Sequence, residues 1–186
     1  MDAFKKIVAE KPIDKVTVAE LVRETGLSRQ AFYNHFLDKY DLSIQIYEQS
    51  FAPVAQGHRD RITTWLESGI QHLEIYAADK DYYRNVLSSY DRSSLRFYLK
   101  DRMYHEFRHK CELRGAVFDT EDKVYALKMV VFATNEMTFE WVENGCQEPA
   151  EVIVKRFDLC RPMILSPYLE DTDSVANPCT GTPPRH

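Results

Sequence analysis

The chain has 186 residues, 44% hydrophobic and 28% charged, which is enough apolar material for a packed core but includes no apolar run long enough for a membrane-spanning helix. Its formal charge of -5, from 24 Lys and Arg against 29 Asp and Glu, gives no whole-chain basic signature, so any nucleic-acid contact has to come from a local patch. The first thirty residues hold no signal-peptide stretch, the six glycines form no phosphate-cradling loop, and the four cysteines (Cys111, Cys146, Cys160, Cys179) include no C-x-x-C pair for zinc or redox chemistry.

Apolar residues recur three and four positions apart along most of the chain, and strand-like alternation is nearly absent, so the expected fold is all-α. Phe4, Ile7 and Val8 share one face of a first helix. Lys11-Pro12 ends it, because the residue before a proline is pushed out of the α region. Thr17 and Glu20 have capping-box spacing, which starts a second helix with Val18, Leu21 and Val22 inward and a stop at Thr25-Gly26. Leu27-Ser28 then staples and caps a third short helix with Ala31, Phe32 and Phe36 inward. Asp38 caps a fourth, with Leu42, Ile44 and Ile46 or Tyr47 apolar, expected to end in the Pro53 region. Longer helices are expected at 62–78, 81–89, 93–113, 121–143 and 149–165. The chain thus divides into a head over 1–48, a larger helical part over 49–168 and a polar, proline-containing tail over 169–186 that reads as disordered.

The stretch from Val16 to Leu42, VTVAELVRETGLSRQAFYNHFLDKYDL, holds the Thr17 cap, Ala19 and Val22, Gly26-Leu27-Ser28, the Phe32-Tyr33-x-His35-Phe36 run, and Lys39 followed by Leu42. This order resembles the helix-turn-helix of the TetR family of transcriptional regulators. Within that family the segments KPIDKVTVAELV, NHFLDKYDL and FEWVENG are most similar to regulators of dihydroxyacetone kinase operons. The resemblance implies a three-helix DNA-binding head and a larger helical part that binds an effector and forms a homodimer. It also implies a double-stranded operator as partner, and switching by a small molecule or a protein co-activator.

The residues support that reading physically. Two short helices joined at a glycine turn let the first hold the second while the polar side of the second enters a major groove. Arg29 is able to pair with guanine O6 and N7 and Gln30 with adenine N6 and N7, while the small Ser28 and Ala31 permit close approach. Thr17, Tyr33, His35 and Lys39 occupy the family's phosphate-contact positions, and Asn34 suits either role. The head is not basic: residues 1–50 carry seven Lys and Arg against eight Asp and Glu, so modest affinity that depends on two heads is expected. The family also tends to carry basic residues ahead of its first helix, so the start reads as shortened.

Further along, the run ALKMVVFA from Ala126 to Ala133 is apolar nearly all round and needs burial on more than one side. The resemblance assigns the last two long helices to a four-helix dimer interface through Val131, Met137, Trp141, Ile153, Phe157, Cys160 and Ile164. Two reading helices would then lie about 34 to 36 Å apart or somewhat more. An intrachain bundle is the competing reading. Trp65, Tyr76, Tyr83, Phe97, Tyr98, Tyr104 and Phe107 are the aromatics expected to line the effector pocket, against the alternative that they are ordinary core.

The helix from Arg92 to Arg114 holds seven cations against three acids. With Leu95, Leu99, Met103, Phe107 and Cys111 as its apolar stripe, it reads as amphipathic with its charges in water. His105 and His109 share a face there, but the surrounding Arg102, Arg108 and Lys110 argue for a solvated face and against metal. No Ser-His-Asp order, paired catalytic carboxylates or phosphate loop is present, so neither enzyme activity nor a cofactor is expected. Reduced thiols and the lack of a leader point to the cytoplasm. The alternative function is a DNA-free dimeric helical scaffold that retains the fold, favoured by the acidic balance of the head.

Overall fold

Short side chains at the helix starts settle the local structure of the head. Thr17 Oγ1 accepts from the Glu20 amide at 3.2 Å, Ser28 Oγ from the Ala31 amide at 3.0 Å, and Asp38 Oδ1 from the Tyr40 and Asp41 amides at 2.7 and 2.9 Å. Each takes up a donor that a helix N-terminus leaves unpaired. The Glu20 carboxylate pairs with the Lys11 ammonium at 2.6 Å. That hydrogen bond, helped by the Thr17 amide, holds it below the usual carboxylate range. Between the second and third caps Gly26 sits at φ 70°, the left-handed conformation that favours glycine. Thr17→Ala and Ser28→Ala should each lower stability by about 1 kcal/mol in urea unfolding, whereas Ser28→Asn should not.

The computed structural model describes residues 1–59 and 65–169, without the side chains of residues 58, 59 and 65. Among the described residues the fold is all helical. It consists of α1 (Asp2–Glu10), a single 3-10 turn at Ile13–Lys15, α2 (Val18–Thr25), α3 (Arg29–Tyr33), α4 (Lys39–Arg59), α5 (Trp65–Ala78), α6 (Lys80–Leu87), α7 (Leu95–Leu113), α8 (Glu121–Glu143), α9 (Ala150–Leu159) and α10 (Ser166–Leu169). The expected tail, and the expected start of the fifth helix at 62–64, lie outside the described residues.

Two elements depart from the sequence expectation. The fourth helix does not end near Pro53 but runs through it to Arg59. Pro53 and Gln49 are both exposed, so the Gln49 carbonyl that loses its helical donor can be hydrated. The last helix stops at Leu159 instead of reaching Leu165, because Arg161 precedes Pro162 and is disfavoured in the α region. A turn and the short α10 follow.

The apolar side chains gather in two clusters. The larger one is continuous from the head, through Phe4, Val8, Leu21, Phe32 and Leu42, into the body, through Tyr76, Tyr83, Leu87, Phe139 and Val154. The smaller one joins Phe107, Cys111, Leu127 and Val131 to Leu165 and Leu169, so α10 closes the far end of α7 and α8. α1 lies along α6, where Phe4 meets Tyr82 edge-on at 6.2 Å and Asn85 Nδ2 donates to the Val8 and Ala9 carbonyls at 2.8 and 3.1 Å. α5 packs so closely on α9 that a Cβ at Gly69 would stand 3.2 Å from Val154 Cγ1.

Candidate nucleic-acid interface and internal cavity

α3 is anchored from below by Phe32, which is 4% exposed, and Ala31 and Phe36 are half-buried beside it. Anchoring these three leaves Ser28, Arg29, Gln30, Tyr33, Asn34 and His35 facing solvent on one short element, with Thr17 exposed at the adjoining start of α2. Arg29 makes no ion pair with any described residue. Gln30 Nε2 donates to Asn34 Oδ1 at 3.0 Å, which sets both amides side by side. Tyr33 stands edge-on to Phe32 at 5.4 Å.

Lys39 behaves differently from the other expected contacts. It is half-buried, and its Nζ donates to the Asp14 and Val16 carbonyls, both at 2.9 Å, so two of its three protons tie α4 to the turn before α2. Lys11 is held by Glu20, and Lys5 pairs with Asp79 on the body. The head therefore presents a small polar reading surface, with Lys5, Lys11 and Lys39 committed within the fold and Lys6, Lys15, Arg23 and Arg29 exposed without an ion pair to any described residue.

Behind the head, α4, α5, α7, α8 and α9 line a partly open cavity of about 100 Å³. Its walls are apolar at Phe51, Leu73, Met103, Phe139 and Val154, and polar at Ser68, Thr134, Asn135 and Thr138. Of the expected pocket residues, Tyr76 and Phe107 line it. The Trp65 side chain lies outside the described residues. The other four are corrected. Tyr83 is fully buried behind Tyr76, edge-on at 4.8 Å, and Phe97 is 38% exposed on the outside of α7. Tyr98 turns away to donate to Glu48 Oε1 at 2.7 Å, and Tyr104 packs with the second cluster.

The lining also contains groups that aromatic spacing did not reveal: His72, Arg102, Glu106, Lys110 and Arg161. The expectation that the charges of α7 stay in water fails for Arg102 and Lys110, whose side chains are 22% and 15% exposed, and for Arg96 at 5%. A cue lay in the four-residue spacing of Arg102, Glu106 and Lys110, with Met103 and Phe107 beside them.

Arg102 forks onto Glu48 of α4 through Nε and one terminal nitrogen, the latter at 3.1 Å, and donates to Glu106 at 2.7 Å. Lys110 lies 3.0 Å from Glu106. Burial raises the Glu106 carboxyl, but Lys110 and Arg102 outweigh it and hold it down at about 2. His72, its ring tilted against Phe51 and Tyr76 with centroids 4.3 and 5.4 Å away, is pushed down to about 4 by burial, with Lys110 and Arg102 lowering it further and Glu106 opposing them. It is neutral at pH 7.

A stability effect follows with a definite sign. An unfolded histidine titrates near 6.5, so between there and about 4 the unfolded chain binds a proton that the folded chain refuses. Stability should fall by about 2 kcal/mol from pH 7 to pH 5, and His72→Phe should remove most of that loss. Urea midpoints at the two pH values measure it, and equal losses in both proteins would exclude His72 as the cause.

The expected dimer face is only partly open. Val131 is 4% exposed inside the second cluster, and Trp141 and Ile153, both 7% exposed, pack into the larger one; these three are corrected to core. Trp141 Nε1 also donates to the Glu148 carbonyl at 3.0 Å. Phe157 is half-buried, whereas Met137, Cys160 and Ile164 are exposed. Met129 and Phe132 of the Ala126–Ala133 run are exposed as well, as are Leu159 and Met163, which the spacing did not single out. Met129, Met137, Phe157, Leu159 and Cys160 line a groove between α8 and α9. His105 and His109 are solvent-facing, and the described residues hold no group of three His, Cys, Asp or Glu suited to a metal. No helix among them is long and apolar enough to cross a membrane.

Residues 1–46 match the family described as bacterial regulatory proteins, tetR family, and residues 63–159 match the transcriptional regulator C-terminal region. The chain belongs to the TetR family. α2 and α3 are the helix-turn-helix of a TetR DNA-binding head, and both matched families are families of regulators, with no enzyme family indicated. Two solved structures share the TetR fold with this chain. The dihydroxyacetone kinase operon activator DhaS is 16% identical, with a TM-score of 0.62 over 90% of this chain and 92% of that one. The fatty acid degradation regulator FadR from Bacillus halodurans is 18% identical, with a TM-score of 0.55 over 84% and 89%. No curated protein matches the sequence.

Proposed function

We propose that this TetR-family chain is a dimeric, effector-responsive transcription regulator. In this reading α3 enters the major groove of an operator, with Ser28, Arg29 and Gln30 at the base edges, Thr17, Tyr33 and His35 on the backbone and Asn34 at either; the small, half-buried Ala31 permits the close approach, and Lys39 has one proton left for a phosphate. The observation that carries it is the exposure of Arg29 and Gln30 on a capped helix whose buried side is fixed by Phe32. Such a helix offers bidentate donors with a fixed aim, which is what base-edge recognition requires. A second copy would cover the apolar side chains along the α8–α9 groove, and a head on each subunit compensates for the weak charge of each alone.

The cavity supports a small molecule rather than a protein co-activator as the effector, since it lies between α4, which carries the head, and the helices of the body. Binding would shift the operator affinity only as far as the effector prefers one arrangement of the two heads. Fluorescence anisotropy of the purified protein at one stated salt concentration tests the reading, using the intergenic duplex beside its own gene and a scrambled duplex. Preferential binding to the first, by a species of dimer mass in sedimentation, is expected. Equal weak binding to both would defeat it and favour the DNA-free scaffold.

A further inference from the structure

The charged groups around the cavity are unevenly placed. Three cationic side chains, Arg102, Lys110 and Arg161, reach the lining, with Glu106 as the only carboxylate among the described lining residues. Glu48 pairs with Arg102, and Asp158 with Arg161, from outside the lining. His72 adds no charge at neutral pH. Phe51, Leu73, Met103 and Val154 give the same lining its apolar surface.

We propose that the cavity takes a short-chain monocarboxylate whose anion pairs with Arg102 in exchange for Glu48. This rests on the reading of the cavity as the effector site and adds the chemical class of the effector. A planar carboxylate matches the guanidinium fork that Glu48 now occupies, so the exchange replaces one bidentate pair by another. Glu48, rather than Glu106, is the partner that leaves. Its side chain is 39% exposed and can turn to water, giving up the Tyr98 hydroxyl along with Arg102, whereas Glu106 is 26% exposed and held by both Arg102 and Lys110. The size limit follows from the volume. A dry cavity of about 150 Å³ holds benzene, so one of about 100 Å³ admits an acid of roughly three to five carbons. Because Glu48 belongs to α4, the exchange releases a tether between the body and the helix that carries the head.

The test follows the methyl resonance of Met103, which lines the cavity, in full-length protein with labelled methionine methyls. Butyrate is titrated beside butyramide, its neutral counterpart of equal size, and beside 1-butanol. Butyrate should move the Met103 signal at about a tenth of the butyramide concentration or less, as a charge-assisted pair predicts. Glu48→Gln should tighten butyrate alone by about tenfold, and Arg102→Gln should erase the preference. If Arg102→Gln fails to fold, the wild-type comparison and Glu48→Gln still decide. Equal binding of butyrate and butyramide, or binding of 1-butanol alone, would overturn the carboxylate and leave the effector cavity standing. If none of the three moves Met103, the short-chain carboxylate falls, while the effector reading of the cavity is judged separately by the operator-binding assay.

Discussion

Arg96→Met should cost about 3 kcal/mol of stability, more than most single changes outside the apolar core. Arg96 sits in the first turn of α7 with 5% of its side chain exposed. One terminal nitrogen donates to the Leu87 carbonyl at the end of α6 at 2.9 Å and to Glu143 at 2.8 Å, and the other to Glu136 at 2.7 Å. The guanidinium carbon also lies over the rings of Tyr90 and Phe139, 4.7 Å from each centroid. Burial works against its charge, but Glu143 and Glu136 raise it further, so it stays protonated. Methionine fills most of the volume but leaves the Leu87 carbonyl unpaired, takes the cation from Glu143 and leaves Glu136 with Lys100 alone, 3.3 Å away, and an unmet buried group costs more than a made bond gains. Arg96→Lys should recover only part of the loss, because a point charge cannot fork onto two carboxylates or stack. Urea midpoints measure both variants. A loss under about 0.5 kcal/mol for Arg96→Met, the range of ordinary surface changes, would show that this junction of α6, α7 and α8 is held by apolar packing alone.

The double variant Arg29→Ala, Gln30→Ala should weaken operator binding by about 3 kcal/mol, roughly 150-fold, since each bidentate base contact contributes about 1–3 kcal/mol. Both side chains are exposed and support no packing, so the fold and the dimer should be unchanged, as circular dichroism and sedimentation would show. Salt dependence separates the two roles open to Arg29. If it reads a base, Arg29→Ala loses specificity with little change in slope; if it neutralises a phosphate, the slope of log affinity against log salt falls by about one and all sequences weaken alike. Retained operator affinity in the double variant would remove α3 as the reading element.

The caps at Thr17, Ser28 and Asp38 and the turn at Gly26 were readable because each is decided within four residues by hydrogen bonding or a single φ angle. Pro53 was misleading for the same reason: the local rule holds, but solvent on that side of α4 replaces the missing bond. At the other end of the chain, the three- and four-residue spacing through Phe157, Cys160 and Ile164 continued past a proline that stops the helix. The cavity was least legible. Tyr76 and Tyr83 are both fully buried aromatics, and only the packing of α5 on α4 and α6 decides that one faces the cavity and the other backs it. Likewise, nothing local distinguishes Arg102, turned inward to Glu48, from Arg108, paired with Glu112 at the surface.

The single apolar cluster running from Phe4 to Val154 means that the DNA-reading head is not a portable module. A fragment ending at residue 48 would sever α4 within its third turn and strip α1 of its seat on α6, exposing Phe4 and Val8 and leaving the Val8 and Ala9 carbonyls without Asn85. Such a fragment should be largely unfolded by circular dichroism, and the intact chain should melt in one transition. Fusing this head to an unrelated body would therefore have to bring α6 along with it.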